Sequence, residues 1–135
     1  MSHIDLITAV GRLLSDRDLR EQFRHGPREV ARQIRVVDED MAAFVQLDFE
    51  DLCRQAKTLV GKRWHEVSNL VPCHISNLGN EARELFDYYA ATSWPVGHRR
   101  HANDALCFLR FLAKNSIGRI DRGEWSRVRR LASGK

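Results

Sequence analysis

The chain has 135 residues, 43% of them hydrophobic and 30% charged, with a formal net charge of +4, which is typical of one globular domain. With 3 Pro and 8 Gly, the composition excludes collagen-like and disordered proteins. No apolar run approaches the roughly 18 residues of a transmembrane helix, and the start lacks the basic region and cleavage site of a signal peptide. We therefore expect a cytoplasmic protein that does not bind a membrane.

The first third of the chain is predicted to form four short helices: residues 2–15, 16–25, 27–34 and about 38–45. Ser15 or Asp16 can cap the second of them, and Pro27 suits the first position of the third. Acidic residues 38–40 match the first turn of the fourth helix, where negative charge complements the helix dipole.

Four helices are predicted in the remainder: residues 49–71, 81–92, 98–114 and 122–132. Gly61 interrupts the first at a cost of about 1 kcal/mol relative to Ala, so either a neighbour packs closely there or the helix bends. Pro72 stops that helix, and we expect a loop after it, with a turn at 77–80. The helix over 98–114 is apolar nearly all round, which is typical of a central helix. Asp121 can cap the last one.

The predicted fold is all-α, with six or seven helices and no sheet, because alternating apolar and polar residues are not found. Residues 1–47 are expected to form a small N-terminal helical hairpin unit, and residues 48–135 a four-helix bundle-like core. The link between them has no flexible linker chemistry, so we expect both parts to pack into one compact domain.

The positive charge is concentrated in the last third of the chain. Residues 93–135 carry 10 basic and 3 acidic side chains, whereas residues 1–47 carry 7 and 8, and residues 48–92 carry 5 and 7. Such a local excess indicates an anionic partner: an acidic peptide, a protein face or nucleic acid. Of the 22 basic residues 18 are Arg, which favours bidentate contact with carboxylates or phosphates, although a GC-rich coding bias gives the same excess.

The chain has three cysteines: Cys53, Cys73 and Cys107. An odd number argues against a disulfide framework, and their spacings match no zinc motif. Cys107 lies in an apolar run and is predicted to be a core thiol. His98 and His101 have a spacing compatible with chelation, but the two arginines between them disfavour a cation. Sequence motifs for nucleophilic catalysis, phosphate loops and dinucleotide binding are missing.

Two groups of residues combine aromatic and cationic side chains. In the first, Lys62 and Arg63 precede Trp64, which we interpret as a core residue with solvated charges around it; a binding surface is the alternative. The second begins at Trp94 and ends with four donor side chains at a helix N-terminus: His98, Arg99, Arg100 and His101. Cations there oppose the helix dipole, at about 0.3–1 kcal/mol each, and can serve to hold an anion.

At these residues the sequence resembles the TglI-type partner subunits of multinuclear nonheme iron-dependent oxidases (MNIO), which act in the biosynthesis of ribosomal peptide natural products. The resemblance covers most of the chain. It is carried by Leu14-Ser15-Asp16, Leu19-Arg20, Phe23, Pro27, Val30-Ala31, Lys62-Arg63-Trp64-His65-Glu66-Val67, Leu85-Phe86, Tyr89, Trp94-Pro95, Gly97-His98-Arg99-Arg100-His101, Asp104-Ala105, Phe108 and Leu112.

The resemblance implies a non-catalytic accessory subunit that forms a heterodimer with the oxidase and helps recruit or position the precursor peptide for Cys modification, as in thiaglutamate pathways. The iron belongs to the partner oxidase, so this chain is expected to bind no cofactor and no metal and to contribute no catalytic residue. The residues expected to contact the oxidase or the peptide are Trp94, His98, Arg99, Arg100 and His101, with Lys62 and Arg63 second.

Two other functions stay open. A basic helical nucleic-acid-binding protein is the first alternative, because five arginines fall near or in the last helix: Arg119, Arg122, Arg127, Arg129 and Arg130. We do not expect it, since the first two thirds of the chain have no basic excess and Trp125 is predicted to pack inward. The second alternative is a stand-alone enzyme that uses Cys73 or the pair His98 and His101.

Overall fold

The computed structural model describes residues 2–95 and 97–134, which form nine α-helices. Their bounds are α1 Leu6–Ser15, α2 Arg17–His25, α3 Pro27–Ile34, α4 Met41–Val45, α5 Phe49–Leu70, α6 Pro72–Leu78, α7 Ala82–Ala90, α8 Arg100–Lys114 and α9 Arg122–Ser133. Short 3₁₀ helices over Asp38–Asp40 and Gly79–Glu81 precede α4 and α7. In the described residues β pairing is confined to one isolated parallel bridge, between Ile4 and Val36. The predicted all-α class is confirmed.

Helix starts follow the local chemistry of the sequence. The side chain of Asp16 accepts hydrogen bonds from the first turn of α2, and Asp121 accepts one from the backbone N–H of Glu124 at 2.8 Å, as predicted. Asp5 caps α1 in the same way, so this helix begins later than the expected Ser2. The hydrogen bond from the Thr8 backbone holds the pKa of Asp5 below its ordinary value.

The prediction of six or seven helices is too low, and the segment after Pro72 is one of the helices that it leaves out. The expected loop at 72–74 is the first turn of α6. Pro72 ends α5 because proline cannot donate the backbone hydrogen bond that would continue the helix. It can begin the next helix because the N–H of a first helical residue has no partner within the helix. The helix expected at 98–114 begins at Arg100, two residues later than predicted.

The chain divides into an N-terminal unit, Met1–Leu59, and a C-terminal unit, Val60–Lys135. The division falls inside α5. One long helix supplies both cores: Leu52 belongs to the first, and Val67 to the second. The apolar residues of α5 keep a regular helical spacing along its whole length. This spacing shows which face of the helix is apolar, but it does not show where one core ends and the other begins.

The N-terminal unit has its own small core. Phe23 and Phe44 meet edge to face, with ring centroids 5.3 Å apart. Arg20 donates to the carbonyls of Leu13 and Leu14 at 2.9 and 3.0 Å, which satisfies the C-terminal end of α1. The remaining buried apolar residues of this core are Ala9, Leu13, Leu19, Val30, Ala31, Ile34, Val36 and Leu52.

The core of the C-terminal unit is built around α8, as its apolar sequence predicted. Phe108 of α8 and Phe86 of α7 are fully buried, with ring centroids 5.3 Å apart. Trp125 is half-buried and packs against this core, as expected. The prediction that Cys107 is a core thiol is wrong: its side chain is exposed. It lies on the narrow face of α8 that also carries Arg110, opposite the buried residues.

None of the described helices is both long enough and apolar enough to cross a membrane.

Two glycines of the C-terminal unit should respond to alanine in opposite directions. A Cβ at Gly61 would meet nothing nearer than Nη2 of Arg83 at 4.0 Å, so close packing does not explain this glycine. We expect Gly61→Ala to stabilise the protein by up to about 1 kcal/mol. Gly118 has φ +69°, and a Cβ there would lie 2.9 Å from Cδ2 of Leu78, so Gly118→Ala should destabilise it. Urea unfolding of both variants checks this; equal effects would contradict it.

Candidate functional site

The seven residues predicted to contact a partner lie on two parts of the C-terminal unit. Lys62 and Arg63 are consecutive on α5. The other five belong to the α7–α8 segment, defined as residues 93–101, in which Val96 lies outside the described residues: Trp94, His98, Arg99, Arg100 and His101. The structure brings one residue of each part together, because the guanidinium carbon of Arg63 lies 5.0 Å from the ring centroid of Trp94.

Beneath the segment, Arg63 and Asp104 form a buried bidentate ion pair. Nε of Arg63 donates to Oδ2 of Asp104, and Nη2 donates to Oδ1, each at 2.8 Å. Arg63 is 6% exposed and Asp104 is not exposed at all. The Tyr89 hydroxyl donates to Oδ1 of Asp104 at 2.7 Å, and Nη1 of Arg63 reaches the carbonyl of Ala90 at 3.4 Å. The pair therefore joins α5, the end of α7 and α8.

The guanidinium of Arg63 is also surrounded by aromatic rings. Besides Trp94, the rings of Phe86 and Tyr89 have centroids 5.7 and 5.9 Å from its central carbon. Burial, followed by the negative charge of Asp104, raises the pKa of Tyr89 far above its ordinary value. The phenol thus stays protonated and donates to Asp104. The aromatic rings therefore add to the Asp104 carboxylate in offsetting the cost of removing the Arg63 guanidinium from water.

This geometry corrects the prediction for Arg63. The sequence indicated a solvated cation beside Trp64, but Arg63 is enclosed and bound to Asp104. The missed signal is Asp104 itself. A carboxylate on the apolar face of a central helix needs a buried cation, and Arg63 is the basic residue on the apolar side of α5.

The α7–α8 segment presents polar groups to solvent above this pair. Trp94 is 40% exposed, His98 and Arg100 are exposed, and His101 is half-buried. Arg99 is exposed too, but its guanidinium lies against the backbone of Gly134 at the C-terminal end of α9, where a cation complements the helix dipole. α8 has no side-chain N-cap. The segment therefore exposes one aromatic ring and several cationic and imidazole donors, and such donors suit carboxylates.

A second buried pair joins His74 of α6 to Glu124 of α9. Nδ1 of His74 lies 2.6 Å from Oε1 of Glu124, and the other ring nitrogen accepts the Asp121 backbone N–H at 3.1 Å. This arrangement places the ring proton on Nδ1, facing Glu124. Glu124 also accepts the backbone N–H groups of Cys73 and His74 at 2.8 and 2.9 Å, so it caps α6. Both nitrogens of the imidazole are occupied within the fold.

Cys73 beside this pair has little nucleophilic character. Its hydrogen bond to the Glu124 carboxylate, and then the negative charge of that carboxylate, raise the pKa of the thiol above its ordinary value. Since the thiolate is the reactive form, this position disfavours attack by Cys73 at neutral pH. The described residues contain no group of three or more His, Cys, Asp or Glu side chains that could hold a metal ion.

Comparison of the chain with protein-family models, with curated proteins and with solved structures gives no match. A functional assignment for this chain therefore depends on its own residues and on the resemblance described above.

Removing only one partner of the Arg63–Asp104 pair should strongly destabilise the protein. We expect Asp104→Asn to lower the free energy of unfolding by about 3–5 kcal/mol, because it leaves a buried guanidinium uncompensated. Asp87→Asn breaks the exposed pair with Arg83 and should cost less than about 1 kcal/mol. Replacing both buried partners, as Arg63→Met with Asp104→Leu, should recover most of the loss. Urea unfolding measures all three; similar losses for the two single variants would refute the argument.

Glu124 should make the protein sensitive to acid. Burial alone would raise the pKa of Glu124, but hydrogen bonds from His74 and Cys73 outweigh it and hold the pKa below the ordinary 4.5. The resulting stabilisation is complete above pH 4.5 and is lost as pH falls through the lowered pKa. We expect Glu124→Gln to be less stable at pH 7 and to lose less stability between pH 5 and about pH 3 than wild type. Glu84→Gln, an exposed change, should follow the wild-type profile.

Proposed function

We propose that this chain is a non-catalytic partner protein that binds a multinuclear iron-dependent oxidase and helps recruit or position a precursor peptide for Cys modification. The observation that carries the proposal is Trp94, which remains 40% exposed while its ring is held against the buried guanidinium of Arg63. An exposed tryptophan packed on a guanidinium is typical of the few residues that dominate a protein interface.

Charge supports the same proposal. Residues 60–135 carry 13 basic and 7 acidic side chains, whereas residues 1–59 carry 9 and 11. The positive charge is therefore concentrated in the unit that contains Trp94. An acidic peptide or an acidic face of an oxidase would be attracted to this unit and oriented by it.

The anchoring of the α7–α8 segment supports a binding role rather than a catalytic one. The neighbouring Arg63–Asp104 pair is enclosed and bidentate, and the Tyr89 hydroxyl beside it stays protonated. These groups therefore fix backbone and ring positions rather than exchange protons. A side chain that already packs on a fixed neighbour, as Trp94 packs on Arg63, loses less conformational entropy on binding, which favours affinity.

The experiment is affinity capture of a multinuclear iron-dependent oxidase from a thiaglutamate-type pathway, co-expressed with variants of this chain. We expect Trp94→Ala, and Arg99→Ala combined with Arg100→Ala, each to weaken the complex by about tenfold or more, as at other interface residues of these types. Arg110→Ala combined with Lys114→Ala removes two exposed cations from the same helix and is the matched control, with little effect expected.

Retention of the oxidase at wild-type level by both variants would remove the α7–α8 segment from the proposal. Failure of the wild-type chain to capture the oxidase, with the precursor peptide present at low salt, would refute the proposed function itself.

Nucleic-acid binding is the second candidate, favoured by the exposed arginines of α9: Arg122, Arg127, Arg129 and Arg130. Binding of that kind would weaken steeply with salt. A gel-shift assay at low salt, in which no complex forms, would dismiss it.

A further inference from the structure

A groove on the C-terminal unit lies apart from the α7–α8 segment residues named above. It has a volume of about 400 Å³ and runs along α9 beside the end of α8 and the loop that joins them. Its lining residues are Ala113, Ile120, Arg122, Trp125, Ser126 and Arg129. The groove therefore combines apolar side chains with two arginines.

Its apolar side chains are incompletely covered. Ile120 is 44% exposed, and Ala113, which also lines the groove, is exposed too. The half-buried Trp125 has an indole N–H that is enclosed and has no acceptor among the described residues. An unpaired enclosed donor costs about 1–3 kcal/mol.

The two arginines of the groove share one face of α9. Arg122 and Arg129 are seven residues apart, which is two helical turns or about 10 Å along the axis, with Trp125 and Ser126 between them. Both are exposed, and neither forms a salt bridge with a described residue. The groove thus has a cation near each end and an apolar middle.

We infer that this groove binds a short acidic peptide segment that carries a bulky apolar side chain between carboxylates. The apolar side chain would cover Ile120 and Trp125, and the carboxylates would pair with Arg122 and Arg129. The choice of a peptide as the ligand rests on the proposed function. The apolar middle and the two arginines of the groove are properties of this chain alone. Nucleic acid fits less well, because stacking of bases needs an open aromatic face and Trp125 is half-buried.

The test uses the isolated full chain and no oxidase. A phage-displayed library of random dodecapeptides is selected on the immobilised protein, and the affinity of the most enriched peptide is then measured by fluorescence anisotropy. We expect enrichment of sequences in which Asp or Glu flanks Leu, Phe or Trp. Arg129→Glu should weaken binding by about tenfold or more, since it repels a carboxylate where the wild type attracts one.

Two further variants separate the groove from general electrostatics. Arg130→Glu makes the same charge change on the same helix outside the groove, and it should alter the affinity by no more than about threefold. Ala113→Phe fills the groove without changing charge and should block binding. Circular dichroism confirms that each variant is folded.

Three results would overturn the inference: no enrichment, enrichment of basic or uncharged peptides, or unchanged affinity in Arg129→Glu and Ala113→Phe. Displacement of the peptide by a single-stranded oligonucleotide that binds more tightly would also overturn it, in favour of nucleic acid. If the groove binds no acidic peptide but the chain still captures the oxidase, only the groove inference fails and the proposed function stands. If the groove binds peptide while the oxidase is not captured, only the proposed function fails.

Discussion

The buried ion pair between Arg63 and Asp104 is the interaction on which the rest of the C-terminal unit depends. It joins α5 to α8, receives the Tyr89 hydroxyl, and contacts the carbonyl at the end of α7. Two charges are expensive to bury, and apolar residues of similar size can often replace such a pair without loss of stability. Here the guanidinium also contacts the ring of Trp94 at the surface. The pair thus couples the packing of three helices to the position of one exposed aromatic side chain.

Most of the fold could be predicted from the sequence, because its helices carry strong local signals. Asp16, Pro27 and Asp121 begin helices as expected, since capping and proline geometry act within one turn. The helix after Pro72 was missed because proline both ends and begins helices. The exposure of Cys107 was missed because a residue in an apolar run can still face solvent when the other faces of its helix are covered.

The candidate site could be predicted only in part. The exposed residues of the α7–α8 segment were found from their composition, which is a local property. The burial of Arg63 was not, since its partner Asp104 is 41 residues away and only the fold brings them together. The groove along α9 has the same character: Arg122 and Arg129 were recognised as a charged helix, but its apolar middle depends on Ile120 and Ala113 from outside that helix. In both cases the sequence shows where the charged residues are, but tertiary contacts decide which other side chains they meet.

The measurement that tests the central claim most directly is amide hydrogen exchange of the full chain, alone and mixed with a multinuclear iron-dependent oxidase from a thiaglutamate-type pathway. The account predicts that slower exchange on mixing is strongest in residues 93–101, around Trp94, while the acidic N-terminal unit changes little. Unchanged exchange over residues 93–101 at saturating oxidase, or protection confined to other parts of the chain, would contradict it.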